Sequence, residues 1–103
     1  MSAFLAADDA AYAAKTVAYT GTAGSTATFQ PGANAVLVFC TTAAYVKVGV
    51  GVTATTASTP IPANIPIIMK LPPDSSGAPW RVSAIQIASG GNVYAKPGML
   101  VDN

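Results

Sequence analysis

The apolar positions of this chain fall into short runs divided by turn residues, and the rhythm changes once, near residue 15. From residue 16 onward the signals are those of strands. Residues 16–20 carry the β-branched and aromatic side chains that suit a pleated surface, and residues 21–25 read as a turn. Residues 26–29 are a short strand candidate closed by Gln30-Pro31-Gly32. Residues 34–40 form a continuous apolar run, which predicts a strand covered on both faces. In residues 44–50 the alternation is clean: Val46, Val48 and Val50 take one face, Tyr45 and Lys47 the other. Pro60, Pro62 and Pro66 remove ladder donors and favour an extended edge conformation. Residues 65–71 are the next strand, and the Pro- and Ser-rich residues 72–79 a surface loop. Residues 80–88 form the longest predicted strand. Their pattern slips, with Val82 and Ala84 on one parity and Ile85 and Ile87 on the other, so either both faces are covered or a bulge shifts the register near Ala84. Ser89-Gly90-Gly91-Asn92 reads as a tight hairpin turn, Val93-Tyr94-Ala95-Lys96 closes the pair, and Pro97-Gly98 ends it.

Residues 1–15 have a different character. They are rich in Ala, the strongest helix former, and Ser2 is placed to cap a short helix that would bring Phe4, Leu5, Asp8, Ala11 and Tyr12 to one side. An isolated helix of this length is marginal in water. The segment is therefore expected to be an arm that orders by packing on its own body or on a neighbour.

Short strands separated by turns about every 8–12 residues indicate an all-β chain, an antiparallel β-sandwich or barrel. The expected organisation is an N-terminal arm or helix over residues 1–15 and one β-sandwich domain over residues 16–103. Composition sharpens this picture. The chain has 103 residues, of which 9% are charged and 51% hydrophobic, and its net charge is +1. Soluble domains average about 25% charged residues, and a chain this small cannot hide half of its residues in one core. Part of its apolar surface is expected to rest against other protein. The basic residues Lys15, Lys47, Lys70, Arg81 and Lys96 are dispersed, which argues against a nucleic-acid partner. No apolar run approaches the ~20 residues of a membrane-spanning helix. No basic residue precedes the apolar start of the chain and Asp8 and Asp9 interrupt it, so no secretory signal is read there.

The inventory of reactive groups points away from catalysis. There is no histidine, which removes the usual zinc sites and Ser-His or Cys-His pairs. Asp8 and Asp9 sit in the arm, Asp74 in a Pro-rich loop and Asp102 at the C-terminal end, a poor distribution for a paired acid and base. Cys40 is the only cysteine and is expected to be an inert core thiol. Residues 49–54 fit G-x-G-x-x-A, but the segment after them is a poor helix, so a dinucleotide site is not expected. No catalytic, cofactor or metal residues are assigned. The candidate interface residues are Phe4, Leu5 and Tyr12 in the arm, with Tyr45, Trp80 and Tyr94 in the body, because exposed aromatics anchor interfaces or stack on sugar rings.

Residues 15–97 also resemble small structural proteins of tailed-bacteriophage virions, of the capsid decoration or cement type. The resemblance is carried by Val17-Ala18-Tyr19-Thr20-Gly21-Thr22-Ala23-Gly24, by Cys40-Thr41-Thr42-Ala43-Ala44-Tyr45-Val46-Lys47-Val48-Gly49, and by the Thr/Ala/Pro stretch leading to Ile65-Pro66-Ile67-Ile68. It continues through Trp80-Arg81-Val82-Ser83-Ala84-Ile85-Gln86 and Gly90-Gly91-Asn92-Val93-Tyr94-Ala95-Lys96-Pro97-Gly98. It implies a small, jelly-roll-like β-sandwich without catalytic residues, assembled in a host cytoplasm onto the outside of a capsid. The implied partners are the major capsid protein and further copies of the chain as a homodimer or homotrimer. A neck, tail or fibre component of the same fold is the alternative reading. A carbohydrate-binding sandwich using Tyr45, Trp80 or Tyr94 is the second.

Overall fold

A computed structural model of the chain describes residues 2–73 and 77–102. Its strands are β1 (Ser2–Ala6), β2 (Lys15–Tyr19), β3 (Gly24–Ser25), β4 (Ala35–Cys40), β5 (Ala44–Gly49), β6 (Thr59–Ile61), β7 (Ile67–Lys70), β8 (Arg81–Gln86) and β9 (Gly91–Asp102). They form two antiparallel sheets packed on one another, an all-β sandwich. In the first, β4 lies between β7 and β9, and β1 and β2 follow one another along the other edge of β9. The second runs β3-β8-β5-β6. β4 pairs with β9 in one sheet while β5 pairs with β8 in the other. The ribbon formed by these four strands thus spans both layers.

Pleat alternation decides what enters the core. Val36, Val38 and Cys40 of β4, Ala44 and Val46 of β5, Val82 and Ala84 of β8, and Val93 and Ala95 of β9 are all essentially inaccessible to solvent. One end of the core is closed by Trp80, which is fully buried and stacked on Phe29 with ring centroids 4.6 Å apart. Phe29 and Trp80 also exchange backbone hydrogen bonds of 2.7 and 3.2 Å, so rings and backbones are fixed together. The other end is tied by Tyr19. Its hydroxyl donates to the Thr42 carbonyl at 2.6 Å and accepts from the Thr42 N–H at 3.2 Å. The Thr41 hydroxyl accepts from the Asn92 N–H at 2.9 Å, and the Thr42 hydroxyl donates to the Ser89 carbonyl at 3.0 Å. Both connections that cross between the sheets here, β4 to β5 and β8 to β9, are thereby fastened to one buried phenol. Gly91 must be glycine at this point, because a Cβ would stand 2.5–2.6 Å from both threonine hydroxyls.

The slip in residues 80–88 has a clear cause. The β5–β8 register runs unbroken from Ala44↔Gln86 to Gly49↔Arg81, so there is no bulge. The outer face is covered at Ser83, whereas Ile85 is half-buried and Ile87, past the end of β8, is exposed. Ser83 points to the outer side, yet is fully buried, because residues 51–58 fold back over it. Its hydroxyl accepts from the Ala54 N–H at 2.9 Å and donates to the Gly24 carbonyl at 3.2 Å, while Arg81 Nε donates to the Val52 carbonyl at 2.8 Å.

Three expectations need correction. Residues 2–6 are a strand, not a helix: they pair with β9 from Ser2↔Asp102 to Ala6↔Gly98. Helix propensity differs among residues by only a few tenths of a kcal/mol, and a five-residue ladder outweighs it. One turn of the expected helix survives in the Tyr12 N–H to Asp8 carbonyl bond of 2.9 Å. Second, Pro97-Gly98 does not end the last strand. The Pro97 carbonyl accepts from the Ala7 N–H, so its ring nitrogen faces the same edge, at the break between β1 and β2 where no ladder donor is required. Gly98 continues the strand because the Phe4 ring and the Leu5 carbonyl occupy the space of a Cβ. Third, residues 89–92 do not close a hairpin within one sheet, since β8 and β9 belong to different layers. The predicted turn at residues 21–25 also contains β3, and Phe29 contributes only an isolated bridge to Trp80.

Trp80→Ala is expected to lower unfolding free energy by about 3–5 kcal/mol, the range for truncating a fully buried aromatic. Trp80→Phe keeps the stack on Phe29 and removes an indole N–H that has no partner among the described residues, so its loss is smaller. Chemical denaturation of the two variants checks the order.

Candidate interaction surface

Reactive chemistry is sparse on this scaffold. Among the described residues no three His, Cys, Asp or Glu side chains come together as a metal-holding group. Asp8 accepts the Ala10 N–H at 2.8 Å, and Asp9 is paired with Lys96 Nζ at 2.5 Å. Asp74 lies outside the described residues. Cys40 faces the core opposite Val93 and is fully buried. Burial pushes its thiol up to about 11, against a smaller opposing effect from the Tyr19 hydroxyl. Two open clefts accompany the sandwich. The larger, about 380 Å³, is bordered by Lys47, Lys70, Thr55, Ser58 and Met69. The smaller, about 320 Å³, is bordered by Lys15, Phe29, Pro31 and Pro79. Neither is lined by a carboxylate or by Tyr45 or Tyr94.

The six candidate interface residues are distributed over the whole molecule. Trp80 is the one that the structure removes from the surface: it is sealed against Phe29 inside the core, where no partner or sugar ring reaches it. Its place at the start of β8 suggested partial exposure, but residues 26–33 close over that end. Tyr12 is half-buried, its hydroxyl donating to the Pro31 carbonyl at 3.1 Å and its own carbonyl accepting from Lys96 Nζ at 2.8 Å. With the Asp9 pair, these bonds clasp the excursion of residues 7–14 onto the body. Tyr45 is half-buried on the outer face of the second sheet, opposite Ile85 and Pro60. Tyr94 is exposed on the outer face of the first sheet, so the two tyrosines lie on opposite sides of the sandwich.

Two apolar groupings do form. On the outer face of the first sheet, Tyr94 sits opposite Phe39 with ring centroids 6.2 Å apart, and exposed Ile68 sits opposite Leu37. At the far end of β9, Leu5 and Met99 are direct cross-strand partners, 56% and 40% exposed. Phe4, on the other face of β1, is half-buried against Gly98. Of these residues the sequence pattern had singled out Phe4, Leu5 and Tyr94. Met99, Phe39, Leu37 and Ile68 were missed. Met99 was lost because Pro97-Gly98 reads as a stop. The others were lost because a strand that is apolar at nearly every position hides which of its residues face outward.

The chain matches no protein-family model, and no curated protein or solved structure is similar to it at a significant level.

The buried thiol of Cys40 is expected to stay unreacted with a small disulfide reagent at pH 8 and to react fully once the chain is unfolded, which a colorimetric thiol assay reads directly. The clasp gives a pH signature. Its hydrogen bond and charge attraction to Lys96 hold the Asp9 carboxyl below its ordinary 3.8. A lowered folded pKa contributes stability above the unfolded value and loses it as pH falls through the folded one. Asp9→Asn is therefore expected to be less stable than wild type at pH 6, with the gap closing below pH 4, in parallel thermal melts.

Proposed function

We propose that this chain is a non-enzymatic virion structural protein that binds the outside of a bacteriophage capsid and stabilises it, as a decoration or cement protein. The observation that carries the reading is a small β-sandwich whose surface is poor in charge and rich in exposed aliphatic side chains. Leu5, Ile65, Ile68, Ile87 and Met99 are all at least 40% exposed in a chain with nine charged side chains, five basic and four acidic. A molecule that lives alone in water gains nothing from such a surface, whereas one that is covered by neighbours does. The resemblance of residues 15–97 to small tailed-phage virion proteins supports the same reading.

The partners in this proposal are the major capsid protein and further copies of the chain, on the virion exterior after assembly in the host cytoplasm. A specific contact buries roughly 800 Å² per partner. At ~25 cal/mol per Å² of apolar area, with half of that area apolar, it contributes on the order of 10 kcal/mol before association losses of several kcal/mol. Modest contacts repeated over a shell are then enough to resist internal pressure. A neck, tail or fibre position is the alternative, and it differs in copy number. The sugar-binding reading is weaker, because Trp80 is inside and neither Tyr45 nor Tyr94 borders either of the two clefts described above.

Quantitative mass spectrometry of purified virions tests this. Hundreds of copies per particle, released together with loss of head stability, are expected. A dozen or fewer copies move the protein to the neck or tail, and absence from the particle overturns the reading.

A further inference from the structure

We infer that the outer edge of β1 pairs with β1 of a second copy, antiparallel and centred on Phe4, to join the two sheets of a homodimer into one. The inference builds on the self-association included in the reading above, but it is tested in solution without any virion, so the two can fail separately.

The hydrogen-bonding pattern fixes which groups are available. In an antiparallel ladder the N–H and C=O of one residue point to the same side, and successive residues alternate. The Ala7 N–H donates to the Pro97 carbonyl, continuing the β1–β9 register, so Ala3, Leu5 and Ala7 face β9. The backbone groups of Phe4 and Ala6 consequently face outward. β1 pairs with no strand but β9 among the described residues.

The remaining edges of the sandwich are protected in the ways that natural sheets use. β6 contains Pro60, and β7 is four residues long, follows Pro66 and ends at Lys70. β3 has only two residues. β2 is backed by the chain that leads into β3, where Gly24 lies against the Ala18 carbonyl. β1 has none of these devices. Its sequence, Ser-Ala-Phe-Leu-Ala, holds no charge and no proline.

The occupant follows from self-complementarity. A two-fold axis at Phe4 sets Phe4 against Phe4 of the second copy and Ala6 against its Ser2, which makes both of these hydrogen-bonded pairs. Ala3 then stands opposite Leu5 across the axis. On that face the exposed Leu5–Met99 pair of each copy meets Ala3 and Val101 of the other, an apolar band with no charge in register. Five residues span about 17 Å, which is short for a stable interface, so the association belongs in the micromolar range.

Sedimentation equilibrium over a micromolar concentration series is the test. A reversible dimer is expected for the wild type. Ala6→Pro removes an outward N–H while leaving the three β9-facing residues intact, so it is expected to weaken the dimer at least about tenfold with an unchanged circular dichroism spectrum. Phe4→Cys is expected to form an interchain disulfide on mild oxidation, since a hydrogen-bonded antiparallel pair places its Cα atoms within disulfide reach. Cys40 is buried and does not compete. A wild type that is monomeric throughout, a trimer, or a dimer indifferent to Ala6→Pro overturns the inference.

Discussion

The twelve residues of β9 are the shared partner on which the first sheet depends. Residues 91–95 hold β2, residues 93–98 hold β4, and residues 98–102 hold β1. A strand paired along both edges has little tolerance for proline, and β9 contains one. The conflict is resolved by geometry, because the Pro97 nitrogen falls at the gap where residues 7–14 leave the sheet. Asn34 completes the same strand from the other side. Its side chain accepts the Leu100 N–H at 2.7 Å and donates to the Leu100 carbonyl at 3.4 Å, standing in for a strand residue where β4 has run out.

With so few charges, the polar work of the fold is done by hydroxyls. Ser83, Thr26, Thr41 and Thr42 satisfy backbone groups at the loops that cross between or lie over the sheets, and Thr26 Oγ1 accepts the buried Val82 N–H at 3.1 Å. Short neutral side chains fit in such places without the desolvation penalty of a buried ion. This explains how a Thr- and Ala-rich chain encloses its core and still leaves aliphatic side chains on the outside. On the outer face of the second sheet residues 52–54 lie over Arg81 and Ser83, and the outer face of the first presents exposed Ile68 and Tyr94 beside half-buried Leu37 and Phe39.

Strand periodicity was legible wherever one face is buried and the other wet, as in β5. The apolar run of β4 concealed an alternation, since Val36, Val38 and Cys40 are buried while Leu37 and Phe39 are half-buried on the outer face, and the prolines before β7 announced an edge. What the pattern could not carry were effects decided by distant partners. The Ala-rich start looked helical because its strand partner lies at the opposite end of the chain. Pro97-Gly98 looked like a stop because both residues are excused only by β1: the proline by the gap beside it, the glycine by the Phe4 ring above it. Trp80 looked surface-near because nothing local reveals that Phe29, fifty-one positions earlier, stacks on it. The candidate surface was half legible for the same reason, since aromatic identity is visible in a sequence but the outward parity of a continuously apolar strand is not.

The pairing of Ser2 with Asp102 has a consequence for how the molecule comes into being. β1 and β2 are made before β9, so during synthesis these strands have no partner until β9 is available. Sheets built from such distant pairings fold slowly. An early chain with unpaired, uncharged strands is also open to wrong association. The first sheet is in this sense sewn shut by β9, the one strand that β1, β2 and β4 all share as a partner.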